Sequence, residues 1–146
     1  MRFLLQFWSL TAYLVPVVSA MCVGPVLGAE TPIYTVCDVM KAPGKLSGST
    51  IRVRARFVVD ALRRSSELRD DRCKSAVLHL ETPMVILDRS IEAFESKLGA
   101  AAPNGIDSPI DVDGVLVWKS TGASYDAVLV VAHVWSLAGT PFTQAQ

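Results

Sequence analysis

Thr50-Ile51-Arg52-Val53-Arg54-Ala55-Arg56-Phe57 is the stretch that decides how this chain folds. Ile51, Val53, Ala55 and Phe57 alternate with Arg52, Arg54 and Arg56, a period of two that marks a half-buried β-strand. One side of such a strand needs an apolar core. The other carries a row of arginines, successive residues about 6.6–6.8 Å apart along the strand.

On the N-terminal side, Thr35 to Met40 reads as a short helix, with Thr35 as its N-cap and Val36 and Met40 four residues apart, ending before Pro43. Ala42 to Ser49 reads as turn. On the C-terminal side, Ser65 to Arg69 and Ala76 to Glu81 read as a second and third strand. They follow the Arg63-Arg64 turn and flank the acidic segment Asp70 to Lys74, which makes a meander. Met84 to Leu87 is apolar without a clear period. Asp88 to Leu98 places Ile91, Phe94 and Leu98 on one helical face, with Gly99 as a stop. Ala100 to Pro109 reads as a loop. Ile110 to Lys119 and Tyr125 to Leu137 are β-rich and joined at Ser120 to Ala123, as in a hairpin. The chain is therefore expected to be mainly β: a five-stranded, OB-fold-like Greek-key barrel with a short N-terminal helix and one helix between strands 3 and 4.

Residues 1–29 carry one charge, Arg2, ahead of an apolar run that ends Val26-Leu27-Gly28-Ala29 before Glu30. This is the form of a signal peptide cleaved after Ala29, leaving a single domain of residues 30–146 in the periplasm or outside the cell. Cleavage after Ala20 would leave Cys22 and further apolar chain behind. Retention as a membrane anchor is opposed by Pro16 and Pro25, and lipid attachment at Cys22 by bulky Met21. Loss of Arg2 leaves 13 of the 14 basic residues against 14 acidic ones, so the mature charge is about −1. That provides no long-range field to gather nucleic acid or an anionic membrane. Cys37 and Cys73 remain as an even pair, for which a disulfide is the simplest reading in an oxidising compartment. The alternative, a two-cysteine metal site, has only His79 and His133 to call on, neither at finger-like spacing.

The runs Thr35-Val36-Cys37-Asp38-Val39, Leu46-Ser47-Gly48, Ile51-Arg52-Val53-Arg54 and Leu68-Arg69-Asp70-Asp71-Arg72-Cys73 resemble a group of small exported bacterial OB-fold domains of unknown function. The pattern of that group is V-C-x-V, aromatic-x-G-K, V-x-V-R-G and L-x-D-x-x-C. Both cysteines fall where the pattern has them. Leu46, Ser49 and Ala55 depart from its aromatic, Lys and Gly, which weakens any binding role for the loop before the first strand. The resemblance implies a fold and a disulfide, and no activity.

Arg52, Arg54 and Arg56 are candidate ligand-binding residues, since such a row could follow a phosphate backbone. The competing reading pairs them across strands with Glu67, Asp70 or Asp71. Trp118, Tyr125 and Trp135 could stack on a base or sugar, Trp118 being the candidate carried forward; core packing is the competing role. His133 and Trp135 would share a face with Leu129 and Val131, which makes His133 a partly buried, hydrogen-bonded side chain. His79 would be solvated. Asp111 and Asp113 share a strand face and could form a carboxylate pair, or mark a bulge before Gly114. No hydrolase, zinc-protease, P-loop or dinucleotide motif is present, so no catalytic residue, cofactor or metal is assigned. The expected function is an exported binding module for a protein or cell-envelope component. The alternative is a binder of single-stranded nucleic acid or anionic polysaccharide using the arginine row with Arg63 and Arg64. Edman sequencing of the mature protein is expected to start at Glu30; a start at Met1 or Met21 would refute the cleavage assignment.

Overall fold

The computed structural model describes residues 31–60, 65–101, 104–122 and 124–142. The apolar segment 1–29 and Arg63-Arg64 lie outside the described residues. The decisive stretch is strand β2 (Thr50–Val59). Ile51, Val53, Phe57 and Val59 are buried and Ala55 partly so, while Arg54 and Arg56 face outward and Arg52 is half-buried. Ahead of it lie β1 (Ile33–Tyr34), α1 (Val36–Lys41) and α2 (Pro43–Leu46). After it come β3 (Ser66–Arg69), β4 (Leu78–Glu81), α3 (Arg89–Ala101), β5 (Ile106–Thr121), β6 (Ser124–Leu137) and β7 (Thr140–Pro141).

Five strands close a ring in the order β2-β3-β4-β6-β5, and β5 returns to β2. The antiparallel β2–β5 seam runs from Thr50 opposite Val115 to Val59 opposite Ile106. The β2–β3 and β3–β4 pairs form the expected meander, β5 and β6 the expected hairpin, and β4 lies parallel to β6. There are seven strands among the described residues rather than five. The additional β1 runs parallel to β2, and β7 antiparallel to β6. Two-residue ladders have no periodicity to read. Likewise α2 takes the place of an expected turn: Pro43 at its start has no N–H to waste, a feature of first-turn prolines.

The core fills the ring and spreads under two helices. Val36 and Val39 of α1 are buried, and Thr35 caps that helix in a reciprocal bond with Asp38. Ile91, Phe94 and Leu98 of α3 pack on the barrel, with the Phe94 ring 5.4 Å from that of Phe57. α3 runs through Gly99, which costs a helix only about 1 kcal/mol and is no obligatory stop. The expected Ala100–Pro109 loop is also shorter, because β5 begins at Ile106 and sets Pro109 opposite Arg56.

On β6, register shifts relative to β5 leave Trp135 and Ala132 without partners. These irregularities replace strict alternation: Leu129, Val131, Val134 and Leu137 point inward, and Trp135 is exposed. His133 and Trp135 therefore do not share the face of Leu129 and Val131. Gly114 sits beside the second shift and faces inward, where an added Cβ would lie 2.6 Å from the Val130 carbonyl oxygen and 2.7 Å from Leu129 Cγ. Only a hydrogen fits there. The Cys37–Cys73 disulfide, with Cα atoms 5.8 Å apart, ties α1 to the β3–β4 turn. In the chain-entropy account a closure of this size stabilises by about 4 kcal/mol. Gly114→Ala is expected to cost about 2 kcal/mol or more, as overpacking does, read as a lower urea midpoint with unchanged slope; an unaltered midpoint would mean that the strands separate there freely.

Candidate functional site

The outer face of β2 and β5 carries three arginines and three aspartates. The partners of the arginine row come from β5, because the antiparallel seam sets Asp113 opposite Arg52, Asp111 opposite Arg54 and Asp107 opposite Val58. Arg52 grips Asp111 with two bonds, Nε to Oδ1 at 2.8 Å and NH2 to Oδ2 at 3.0 Å. Arg54 reaches the same carboxylate through NH2 at 2.8 Å. Arg56 donates to both oxygens of Asp107 and, through NH1 at 2.9 Å, to Asp71. Of the three expected partners only Asp71 takes part. Glu67 pairs with Arg69 and Asp70 with Arg72, each two residues away.

Asp111 is the buried hinge of this lattice, 6% exposed. Burial opposes its ionisation, but the bonds from Arg52 and Arg54 outweigh that and leave its pKa below the ordinary value. The Arg56 guanidinium lowers the pKa of Asp107, and Arg72 holds that of Asp70 down at about 2. Asp113 has one buried carboxylate oxygen without a hydrogen-bond partner among the described residues. Three guanidiniums thus face Asp71, Asp107, Asp111 and Asp113, and the face has no surplus of positive charge. Both Asp111 oxygens are engaged by arginine, so Asp111 is held as an ion-pair acceptor and is not free for general acid–base work; within the pair, Asp113 alone keeps an oxygen unbonded among the described residues.

Trp118 lies beyond the row, half-buried against the core. Its backbone N–H donates to Ser47 Oγ at 3.1 Å. The aromatic that does meet the row is Trp135, whose ring lies 4.3 Å from the Arg52 guanidinium carbon in a cation–π contact. The irregular register at Trp135, invisible to alternation, turns it outward. The side chain of Tyr125 lies outside the described set.

Ser90, Asp88 and His133 also converge. Asp88 caps α3, accepting from the Ser90 N–H at 2.7 Å and from the Ser90 hydroxyl, while Ser90 Oγ accepts from the Val134 N–H at 2.9 Å. His133 Nδ1 lies 2.9 Å from Asp88 and 3.1 Å from Ser90 Oγ. A nucleophile triad needs hydroxyl and carboxylate at opposite ring nitrogens. Here both meet the same nitrogen and Ser90 is 4% exposed, so the cluster pins the start of α3 to β6. Burial opposes ionisation of Asp88, and the bonds from Ser90 and His133 still bring its pKa below the ordinary value.

Two concavities flank the disulfide end of the barrel. One, of about 510 Å³, is lined by Cys37, Met40, Cys73 and Ala76 with the charged Asp38, Lys41 and Arg72. The other, of about 350 Å³, gathers Arg54, Arg56, Arg69 and Arg72 with Thr35 and Pro109. Arg69 and Arg72 are not evident as site residues from the sequence because they lie ten or more positions beyond the end of β2. The sulfurs of Cys37 and Cys73 lie near Asp70 within 4.8 Å, but a disulfide sulfur is no thiolate ligand.

No protein-family model and no curated protein matches the chain. Among solved structures it is similar to a protein described as an aspartyl-tRNA synthetase from Leishmania major Friedlin, with a TM-score of 0.53 at 14% identity. The likeness covers 85% of this chain and 24% of that one, and it bears on the fold alone.

Asp88, Asp107 and Asp111 all titrate lower folded than unfolded. Their stabilisation is complete above an unfolded pKa of about 3.9 and is lost as pH falls through the folded values. The urea midpoint is expected to be level near neutrality and to fall below about pH 4. Asp111→Asn should cost about 2–3 kcal/mol at pH 7, less than a fully buried pair because the Arg54 side chain is 61% exposed. A midpoint unmoved by that substitution would remove the ion cluster from the account of stability.

Proposed function

We propose that this chain is a small exported OB-fold binding module that docks on an apolar cleft of a protein partner. The OB-fold reading is supported by the five-strand ring, with its meander, its helix between the third and fourth ring strands, and its closing hairpin. Export is supported by the signal-like residues 1–29 and by the disulfide, a bond kept in oxidising compartments. Among the described residues, no helix is long and apolar enough to cross a membrane.

One observation carries the choice of partner. In the connection from β4 to α3, Met84, Val85 and Leu87 are 104%, 70% and 92% exposed, while Ile86 between them packs on the core. Leaving such side chains in water forgoes about 1.5–3 kcal/mol each. A lone exposed leucine needs no explanation; three on one anchored loop do. Ile86 below and the Asp88 cap beside it hold the loop in shape, which reduces the ordering cost of docking. Among the described residues nearby the charges are mixed, with Arg89 and Glu92 both in the first turn of α3 and Glu81 bonded to Lys119, so these residues form no basic ring to favour lipid headgroups.

The polyanion alternative has less support, because each arginine of the row already holds an aspartate. A photo-crosslinking residue placed at Met84 or Leu87 of the full chain, in its own cells, is expected to give a discrete protein adduct. Val85→Asp with Leu87→Asp should abolish that adduct without lowering the melting temperature. Lipid adducts or none would overturn the reading. Retention on heparin at low salt, lost in Arg52→Ser/Arg54→Ser/Arg56→Ser, would favour the polyanion instead.

A further inference from the structure

We propose that the 350 Å³ cleft between β2 and the β3–β4 turn is a second, separate site that binds a tetrahedral oxyanion, the phosphoryl or sulfate group of a small ligand. It goes beyond the docking loop. That loop leaves the far end of the β3–β4 hairpin from the turn that bears Asp70, Asp71 and Arg72.

Four guanidiniums from three segments line this cleft: Arg54 and Arg56 from β2, Arg69 at the end of β3, and Arg72 from the turn. Asp70 and Asp71 line it too, so attraction at long range is small. What the cleft offers is donors. Arg54 is bonded through NH2 alone and keeps Nε and NH1. Arg69 and Arg72 are each bonded to a carboxylate through Nε and NH2, and each keeps NH1. The carboxylates fix these planar groups in place, and fixed guanidinium forks suit the oxygens of phosphate or sulfate.

The β5 side of the cleft explains why an anion could enter. Along β5 the outward positions read Asp107, Pro109, Asp111 and Asp113, so the acidic series has one gap. The gap is Pro109, which lies opposite Arg56 and lines the cleft. A carboxylate there would complete the lattice and close the site to anions. A compact ligand needs only the spare donors, without displacing Asp111 or Asp107.

The test is an NMR titration of the mature protein with inorganic phosphate, and separately with sulfate, following the arginine Nε–H signals against sodium chloride at equal ionic strength. Saturable shifts are expected at Arg54, Arg69 and Arg72. They should be lost in Arg54→Gln/Arg72→Gln and also in Pro109→Glu, which leaves every arginine in place. Phosphate alone producing the shifts would identify a phosphoryl ligand, and sulfate alone a sulfated one. Shifts no larger than those with chloride, or shifts surviving in Pro109→Glu, would overturn the proposal. Failure here leaves crosslinking at Met84 and Leu87 unaffected, so the two readings fall separately.

Discussion

Everything in this molecule depends on the antiparallel seam between β2 and β5. It joins residues 47 (Val59 to Ile106) to 65 (Thr50 to Val115) positions apart, and without it the sheet would be open, with its apolar face half in water. Closure removes the two sheet edges that the open sheet would present. It also turns the Ile51, Val53, Phe57 side of β2 toward Ile110, Val112 and Leu116, all of them buried. The Phe57–Phe94 contact then seats α3 on the barrel.

The same seam decides the chemistry outside. A strand with alternating arginines is a phosphate-tracking surface if its neighbour is neutral and an ion lattice if its neighbour is acidic. Here the neighbour carries Asp107, Asp111 and Asp113, and Asp111 is shared by two guanidiniums at once. Such a lattice spends positive charge internally and makes the side chains rigid. What is left for partners is local: spare donors where Pro109 interrupts the acids, and an apolar loop held between β4 and α3.

Much of the architecture was legible in the chain. The alternation at Ile51–Phe57, the cap at Thr35, the Ile91–Phe94–Leu98 stripe and the two β-rich runs from Ile110 onward each report a local preference that tertiary structure did not override. The failures have physical causes. β1 and β7 are too short to show a period. Gly99 does not stop α3, because a glycine's cost in a helix is small and packing decides whether the helix continues. Strict alternation puts His133 and Trp135 on the core face, and the structure differs because an irregular register follows from strand pairing and from nothing local.

The sequence by itself determined the main strands and the two longer helices, the apolar faces of β2 and α3, and the Cys37–Cys73 pair, because these follow from periodicity and count. Only the tertiary structure decided which carboxylates meet Arg52, Arg54 and Arg56, that Trp135 and not Trp118 stands beside them, and that Met84, Val85 and Leu87 stay in water. The reason is register. A strand announces its two faces, but which residues of a distant strand lie against them is set by how the ring closes.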